Sequence, residues 1–338
     1  MTHAQCNKSN KNSPKPRVLI SACLGFSASR YDGSMLRDEL VEKMKPYVEF
    51  IPLCPEESLG LGTPRNVLRL YWGEDVKKLY QKEKEQDLTE MMKDFTRKFL
   101  QDEKRSNHQG KCSLDGALLK NRSPSCARQD AKIYAEKSGQ IPAGKSSGLF
   151  AQVLMEICPS LMVEDEGRLK NRHIREHFFT ALFTLARFRE IVQRKKRGAL
   201  VNFHAQHKFL LMAFNEKKMR EMGRLLAEQK QWGFSQLADE YHKQLNAAFQ
   251  TEVRPAKMIN VLMHIMGFFK SQLSTEEKEF FLDSLEKYRG GQLPLSVPLN
   301  ILKSWALKYG EDYLLSQYVF TPFPDELMSL HDSGKQDF

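Results

Sequence analysis

Short apolar runs alternate with amphipathic stretches through the first half of the chain, and helical periodicity fills almost all of the second. Residues 17–22 (RVLISA) form a β-branched run ending at Cys23, and residues 48–53 (VEFIPL) form another ending at Cys54. Residues 115–120 (DGALLK) form a third, and Cys126 follows after the polar segment 121–125. Helical spacing covers 35–44 between the first two runs. An amphipathic helix precedes the third, with Leu88, Met91, Met92, Phe95 and Phe99 on one stripe and charges opposite. Strand, helix, strand, helix, strand predicts an N-terminal α/β domain, an open and mostly parallel sheet with flanking helices.

From about residue 172 the period is 3.6, predicting an all-α helical bundle domain with helices over 172–197, 204–219, 221–230, 234–249, 255–270, 274–288, 298–308 and 312–317. Gly233, Gly290-Gly291 and Gly310 mark turns, and Ser274-Thr275-Glu276-Glu277 reads as a capped helix start. A length of 338 residues exceeds what one compact core usually fills, so two domains are expected. The boundaries read as a disordered basic tail over 1–16, an α/β domain over 17–167 and a helical domain over 168–338.

Charge and cysteine usage narrow the picture. No run of about 18 apolar residues occurs, which removes a membrane-spanning helix from consideration. The first 16 residues are polar with no apolar centre, so no secretory signal is expected and a cytoplasmic location is. The six cysteines (6, 23, 54, 112, 126 and 158) then read as free thiols or ligands rather than disulfides. The net charge of +10 favours a polyanionic partner such as nucleic acid, although charge alone leaves a solvated basic surface equally open.

No CxxC pair exists, so spacing alone gives little evidence for metal. Position gives more, because open α/β sheets bind ligands in the crevice beyond the carboxyl ends of their strands. Cys23, Cys54 and Cys126 each follow a predicted strand end, so three thiols distant in sequence can meet at one edge. Cys6 lies in the tail and Cys112 precedes its strand. Cys158 follows the helical stretch 148–157 and is expected to be a buried apolar residue.

The surrounding residues add specificity. Ser21-Ala22-Cys23-Leu24 leads to Arg30-Tyr31-Asp32-Gly33, and Cys54-Pro55-Glu56 leads to Gly60-Leu61-Gly62-Thr63-Pro64-Arg65. Asp115-Gly116-Ala117-Leu118-Leu119-Lys120 leads to Ser123-Pro124-Ser125-Cys126, and Glu164-Asp165-Glu166-Gly167-Arg168-Leu169 closes the series. In this order the segments resemble the thiouracil desulfidase family over roughly residues 17–167. The later segments Phe203-His204-Ala205-Gln206-His207-Lys208, Asn260-Val261-Leu262-Met263-His264 and Pro322-Phe323-Pro324-Asp325-Glu326-Leu327 resemble the YbgA-type domain. Chains joining both are similar to the tRNA 4-thiouridine desulfidases. Departures from the usual pattern are the stretch Gly25-Phe26-Ser27-Ala28-Ser29, Ala127 in place of Gly after the third cysteine, and Phe268 in place of Tyr.

The resemblance implies a [4Fe–4S] cluster held by Cys23, Cys54 and Cys126, with one iron left without a protein ligand. Thiolates suit an iron–sulfur core, and an open iron suits a soft thiocarbonyl sulfur. Acting as a Lewis acid, that iron would make the ring carbon electrophilic toward water and accept the departing sulfur. The chemistry is non-redox, so neither flavin nor nicotinamide is expected. Glu56, two residues past Cys54, is the candidate general acid/base. Ser123 is the candidate for holding substrate or water; Ser125 either competes for that role or donates a hydrogen bond to a cluster sulfur, and Asp115 is a weaker candidate that otherwise shapes the strand entry. Arg65 reads either as a substrate contact or as the partner of a local carboxylate.

Lys120, Arg122 and Arg128 flank the third motif, and Arg187, Arg189, Arg194, Lys195, Lys196 and Arg197 form a basic run; both sets are candidates for RNA phosphate contact, with a solvated helix face the alternative for the run. His204 and His207 have helical metal spacing but no evident third ligand. Trp232, Tyr241 and Trp305 read as packing residues rather than stacking platforms. Three functions follow: a desulfidase of 4-thiouridine in tRNA, a desulfidase of free thiolated bases or nucleotides, and a non-catalytic iron–sulfur RNA-binding or sensor protein. The basic balance and the added helical domain favour the first, whose substrate base must be partly flipped out.

Overall fold

The computed structural model describes residues 14–74, 76–105 and 113–328. They form two compact units, one ending at Phe178 and the next beginning at Phe179. The first unit runs β1 (Arg17–Ser21), α1 (Glu39–Met44), β2 (Glu49–Leu53), α2 (Pro55–Ser58), β3 (Leu68–Gly73), β4 (Val76–Gln81), β5 (Gln86–Asp87), α3 (Thr89–Arg105), β6 (Gly116–Leu119), β7 (Ala131–Tyr134), β8 (Pro142–Ser146), α4 (Leu149–Ile157) and β9 (Met162–Asp165). It is α/β, as expected, but it holds two sheets rather than one. The first has strand order β2-β1-β6-β9, all parallel, and the second has order β5-β4-β3-β7-β8 and is mixed.

Central strands of the parallel sheet are apolar because both faces are covered. Val18, Leu19 and Ile20 of β1 and Ala117, Leu118 and Leu119 of β6 are buried. Pro52 falls on β2, an edge strand, where a missing N–H is tolerated. One hydrophobic cluster joins Leu19 and Leu119 to Leu70 and Leu79 of the second sheet, Met92 and Leu100 of α3, and Phe150 and Leu154 of α4. The α3 stripe is Leu88, Met92, Phe95 and Phe99, whose last two rings pack on Phe150. Met91, expected on that stripe, is exposed because it lies about 100° around the helix from Met92.

The second unit is helical. It takes in most of α5 (Arg172–Arg194), then α6 (Arg197–Glu228), α7 (Phe234–Phe249), α8 (Pro255–Met266), α9 (Thr275–Arg289), α10 (Ser296–Tyr309) and α11 (Asp312–Leu315). The division falls inside α5, later than the expected boundary at 167–168. The opening turns of α5 are tied back to the first unit: Arg175 Nη1 donates to the Leu169 carbonyl at 3.0 Å, and Ile174 N donates to Asn171 Oδ1 at 3.2 Å. The helices expected over 204–219 and 221–230 form one run with a break at Asn215 (φ −155°, ψ 96°). Asn215 Oδ1 accepts from Lys218 N at 3.1 Å, so this residue caps the segment that follows it. Ser274 caps α9 in a full capping box with Glu277, and Gly310 (φ 69°) ends α10 in the left-handed region. Among the described residues, no helix is long and apolar enough to cross a membrane. The expectations for Cys6, Cys112 and the tail up to residue 13 lie outside the described residues.

Candidate active site

Because β2, β1, β6 and β9 are all parallel, their carboxyl ends share one edge, with Ser21 opposite Leu53 and Leu119 opposite Asp165. Cys23, Cys54 and Cys126 all follow strands at this edge. Cys126 is buried, and Cys23 and Cys54 are partly buried. Burial pushes the Cys23 thiol up to about 11, and neighbouring Cys54 pushes in the same direction against Lys120. Burial likewise raises Cys54 and lifts Cys126 well above the usual thiol range, and both other cysteines add to the effect at Cys126. The three sulfurs therefore feel one another's charge. Among the described residues, no group of three His, Cys, Asp or Glu is arranged to hold a metal ion. A cluster of several irons has a different requirement, since its thiolates sit on separate corners and not around one point. Three partly to fully buried thiols that would repel one another as thiolates fit such a group.

Glu56 and Arg65 join the loops that carry the cysteines. Glu56 occupies the first turn of α2, directly after Cys54, and is buried. Arg65 Nε donates to Glu56 Oε2 at 2.7 Å, and Ser125 Oγ donates to Glu56 Oε1 at 2.8 Å. Arg65 Nη1 donates to the Gly62 carbonyl and to Thr63 Oγ1, both at 3.1 Å. Its Nη2 donates to the Ser29 carbonyl at 2.9 Å and lies 3.8 Å from Cys54 Sγ. Burial, the largest single influence, would lower the Arg65 guanidinium, but the charge and hydrogen bond of Glu56 together with the nearby Cys54 and Glu57 hold it above its ordinary value. One buried ion pair thus ties the first cysteine loop, through Ser29, to the second through Glu56 and to the third through Ser125.

Ser123 Oγ accepts from Cys126 N at 3.0 Å and from Ser125 N at 3.2 Å. Its lone pairs shape the third loop, and its O–H proton is left to point elsewhere. Ser125 is fully buried and donates its hydroxyl to Glu56, which orients that carboxylate. Asp115 Oδ2 accepts from Arg17 N at 2.8 Å, which pins the entry of β1 beside β6. Ala127 is buried and keeps a negative φ, so the third loop does not need the glycine usual there. Gly148 packs directly under that loop, since an added Cβ would stand 2.4 Å from the backbone C and O of Ser125. Gly148→Ala is therefore expected to displace the Cys126 loop at a cost of about 1–3 kcal/mol. Iron content and turnover should fall together, measured against wild type after identical reconstitution.

The candidate phosphate contacts meet different fates. Arg65 is 4% exposed at its side chain and saturated with internal partners, so it positions the site and does not reach outward. Lys120 pairs with Glu166 and Asn121, which neutralises it beside Cys23. Arg122 is exposed with its backbone in the left-handed region (φ 59°), and Arg128 donates to its neighbour Gln129. The basic run is not one helix face, because α5 ends at Arg194 and α6 starts at Arg197. Lys195 and Lys196 are exposed, Arg194 pairs with Glu190, and Arg197 donates to the Gln229 and Trp232 carbonyls. Arg187, read as part of that surface run, is buried. His204 Nδ1 lies 3.0 Å from Tyr241 Oη and His207 Nδ1 lies 2.7 Å from the Phe203 carbonyl, so each already has a packing partner. Tyr241 and Trp305 are core residues, and Cys158 is partly exposed at the end of α4.

One sheet edge thus carries three thiols together with a buried carboxylate that Arg65 and Ser125 hold in a fixed direction. The family model described as 2-thiouracil desulfurase matches residues 18–166, and one described as a protein of unknown function (DUF1722) matches residues 208–324. Protein YbbK of Bacillus subtilis (strain 168) is 32% identical over 155 residues, which is 44% of this chain and 96% of YbbK. Protein YbgA of Escherichia coli (strain K12) is 28% identical over 139 residues, 41% of this chain and 82% of YbgA. A solved structure of the [4Fe-4S]-dependent thiouracil desulfidase TudS aligns with 46% of this chain and 93% of its own, at 24% identity and a TM-score of 0.36. Through its first unit the chain belongs to the 2-thiouracil desulfurase family, and a DUF1722 (YbgA-type) domain follows.

Proposed function

We propose that the protein removes sulfur from 4-thiouridine in tRNA, leaving uridine, with the helical domain contributing to RNA binding. The observation that carries this reading is the Glu56–Arg65 pair, which binds three cysteine loops into one site and presents a carboxylate among the thiols. Cys23, Cys54 and Cys126 would hold a [4Fe–4S] cluster, which supplies Lewis-acid polarisation of a C–S bond when bound. The protein's own part is proton handling and exclusion of bulk water. Glu56 has one lone pair per oxygen engaged by Arg65 and Ser125, so its remaining lone pairs can take a proton from an attacking water. Arg65 and Ser125 fix the direction of that carboxylate. The Ser123 hydroxyl can donate to the pyrimidine while its oxygen holds the Cys126 loop.

Support for RNA as the carrier of the base comes from the net charge of +10 and the exposed Arg122, Lys195 and Lys196. The substrate test compares thiolated tRNA with free thiouracil and thiouridine nucleotides under identical anaerobic conditions, following loss of the thiocarbonyl absorbance. Faster turnover of the tRNA is expected. Turnover of the free compounds with none on tRNA would reassign the protein to small thiolated bases, and iron binding without turnover of either would reassign it to a sensor.

A further inference from the structure

Among the described residues, the helical unit contains a buried cation whose polar atoms have no hydrogen-bond partner. Arg187 of α5 is 5% exposed, and its Nε, Nη1 and Nη2 have no hydrogen-bond partner among the described residues. Its guanidinium carbon lies 3.9 Å from the centroid of the Tyr318 ring. A stacked ring offsets part of the burial of a charge, but it accepts none of the five N–H groups in their own plane. Burial lowers Arg187 only to about 10, so it remains charged at neutral pH. Buried arginines normally meet a carboxylate or a phosphate in bidentate fashion, and an unpaired one is strongly unfavourable.

Two further orphan groups accompany it. Thr184, one turn earlier on the same face of α5, is fully buried with Oγ1 unpartnered. His207 of α6 is fully buried, its ring stacks on Tyr318 at 4.4 Å, and its Nε2 is unpartnered. Arg187 acts electrostatically on His207, which burial drives well below the ordinary imidazole range, so the ring is neutral. Its Nδ1 faces the Phe203 carbonyl at 2.7 Å, and a carbonyl can only accept, which puts the single ring proton on Nδ1. Nε2 is therefore a lone pair that needs a donor. Tyr318, against which both side chains pack, is only partly buried.

The complement to a guanidinium fork, a threonine hydroxyl and a neutral imidazole nitrogen is an oxyanion that also carries an O–H. A carboxylate offers the charge without the proton, whereas hydrogen phosphate, and a phosphomonoester in its singly protonated form, offer both. The geometry points to a phosphate-binding site formed by Arg187, Thr184 and His207 around Tyr318, taking hydrogen phosphate or the terminal phosphate of a phosphomonoester. The site lies wholly in the helical unit and does not depend on the chemistry of the first.

Isothermal titration calorimetry on the full chain in phosphate-free buffer tests this, with inorganic phosphate and uridine monophosphate as titrants and chloride at matched ionic strength as control. Saturable binding at one site per chain is expected, reduced more than tenfold in Arg187→Met. That variant should melt no lower than wild type without phosphate, because it removes an uncompensated charge and keeps most of the stem. Thr184→Val, which preserves shape, should bind several-fold more weakly and guards against a folding failure of the first variant. Tighter binding of uridine monophosphate than of phosphate would identify a phosphomonoester as the source, and the reverse order would identify free phosphate. Absence of saturable binding, equal binding by Arg187→Met, or a large loss of stability in that variant without phosphate would overturn the assignment.

Discussion

Glu56→Gln is expected to keep its iron and lose its turnover, by roughly 100- to 10,000-fold. The substitution preserves the length and shape of the side chain, and its amide oxygen can still accept from Arg65 or Ser125. It removes the capacity to take up a proton, which the proposed water attack requires. Glu56 is not one of the three thiols, so iron content and the visible spectrum should match wild type. The initial rate of thiocarbonyl loss on thiolated tRNA, normalised to bound iron, checks the prediction. Wild-type rates would show that Glu56 serves only to orient Arg65, and loss of iron would show that it holds the loops together before any chemistry.

The second large effect is on stability. Arg65 and Glu56 are 4% and 9% exposed at their side chains, and Arg65 also serves the Ser29, Gly62 and Thr63 oxygens. Arg65→Met leaves a buried carboxylate unpaired and three loop contacts unmade, so the first unit should lose about 3–5 kcal/mol. Arg65→Lys should recover little, because one ammonium cannot span the positions that the guanidinium fork reaches. Urea denaturation followed by a probe in the first unit measures the loss. Combining Glu56→Met with Arg65→Met should restore a substantial part of it, since removing both charges removes the unpaired one; strictly additive losses would mean that the pair is not energetically coupled.

The chain announced some of this architecture and concealed the rest, for physical reasons. β1, β2 and β6 read as apolar runs because strands of a covered parallel sheet are buried, and their shared direction places three distant cysteines at one edge. The second sheet left no such trace. β4 reads VKKLYQ and β8 reads PAGKS, with exposed or partly exposed positions that period-2 patterning does not separate from loop. The role of Ser125 was hidden because its partner Glu56 lies 69 positions away in sequence. Arg187 misled most, since it sits among surface cations in sequence while α5 turns it inward onto Tyr318. The break at Asn215 did carry a signal, an Asn followed by Glu-Lys-Lys, but strong apolar spacing on both sides masked it.

We propose that Cys23, Cys54 and Cys126 together hold one iron–sulfur cluster and that Cys158 takes no part in it. Iron and acid-labile sulfide, determined per chain after anaerobic reconstitution, test it most directly in wild type and in single Cys→Ala variants at 23, 54, 126 and 158. Wild type and Cys158→Ala should each carry about four irons and four sulfides, the content of a [4Fe–4S] cluster. The other three variants should lose most of both. A wild-type chain that takes up no iron, or a Cys54→Ala chain that retains a full complement, would contradict the assignment of the site.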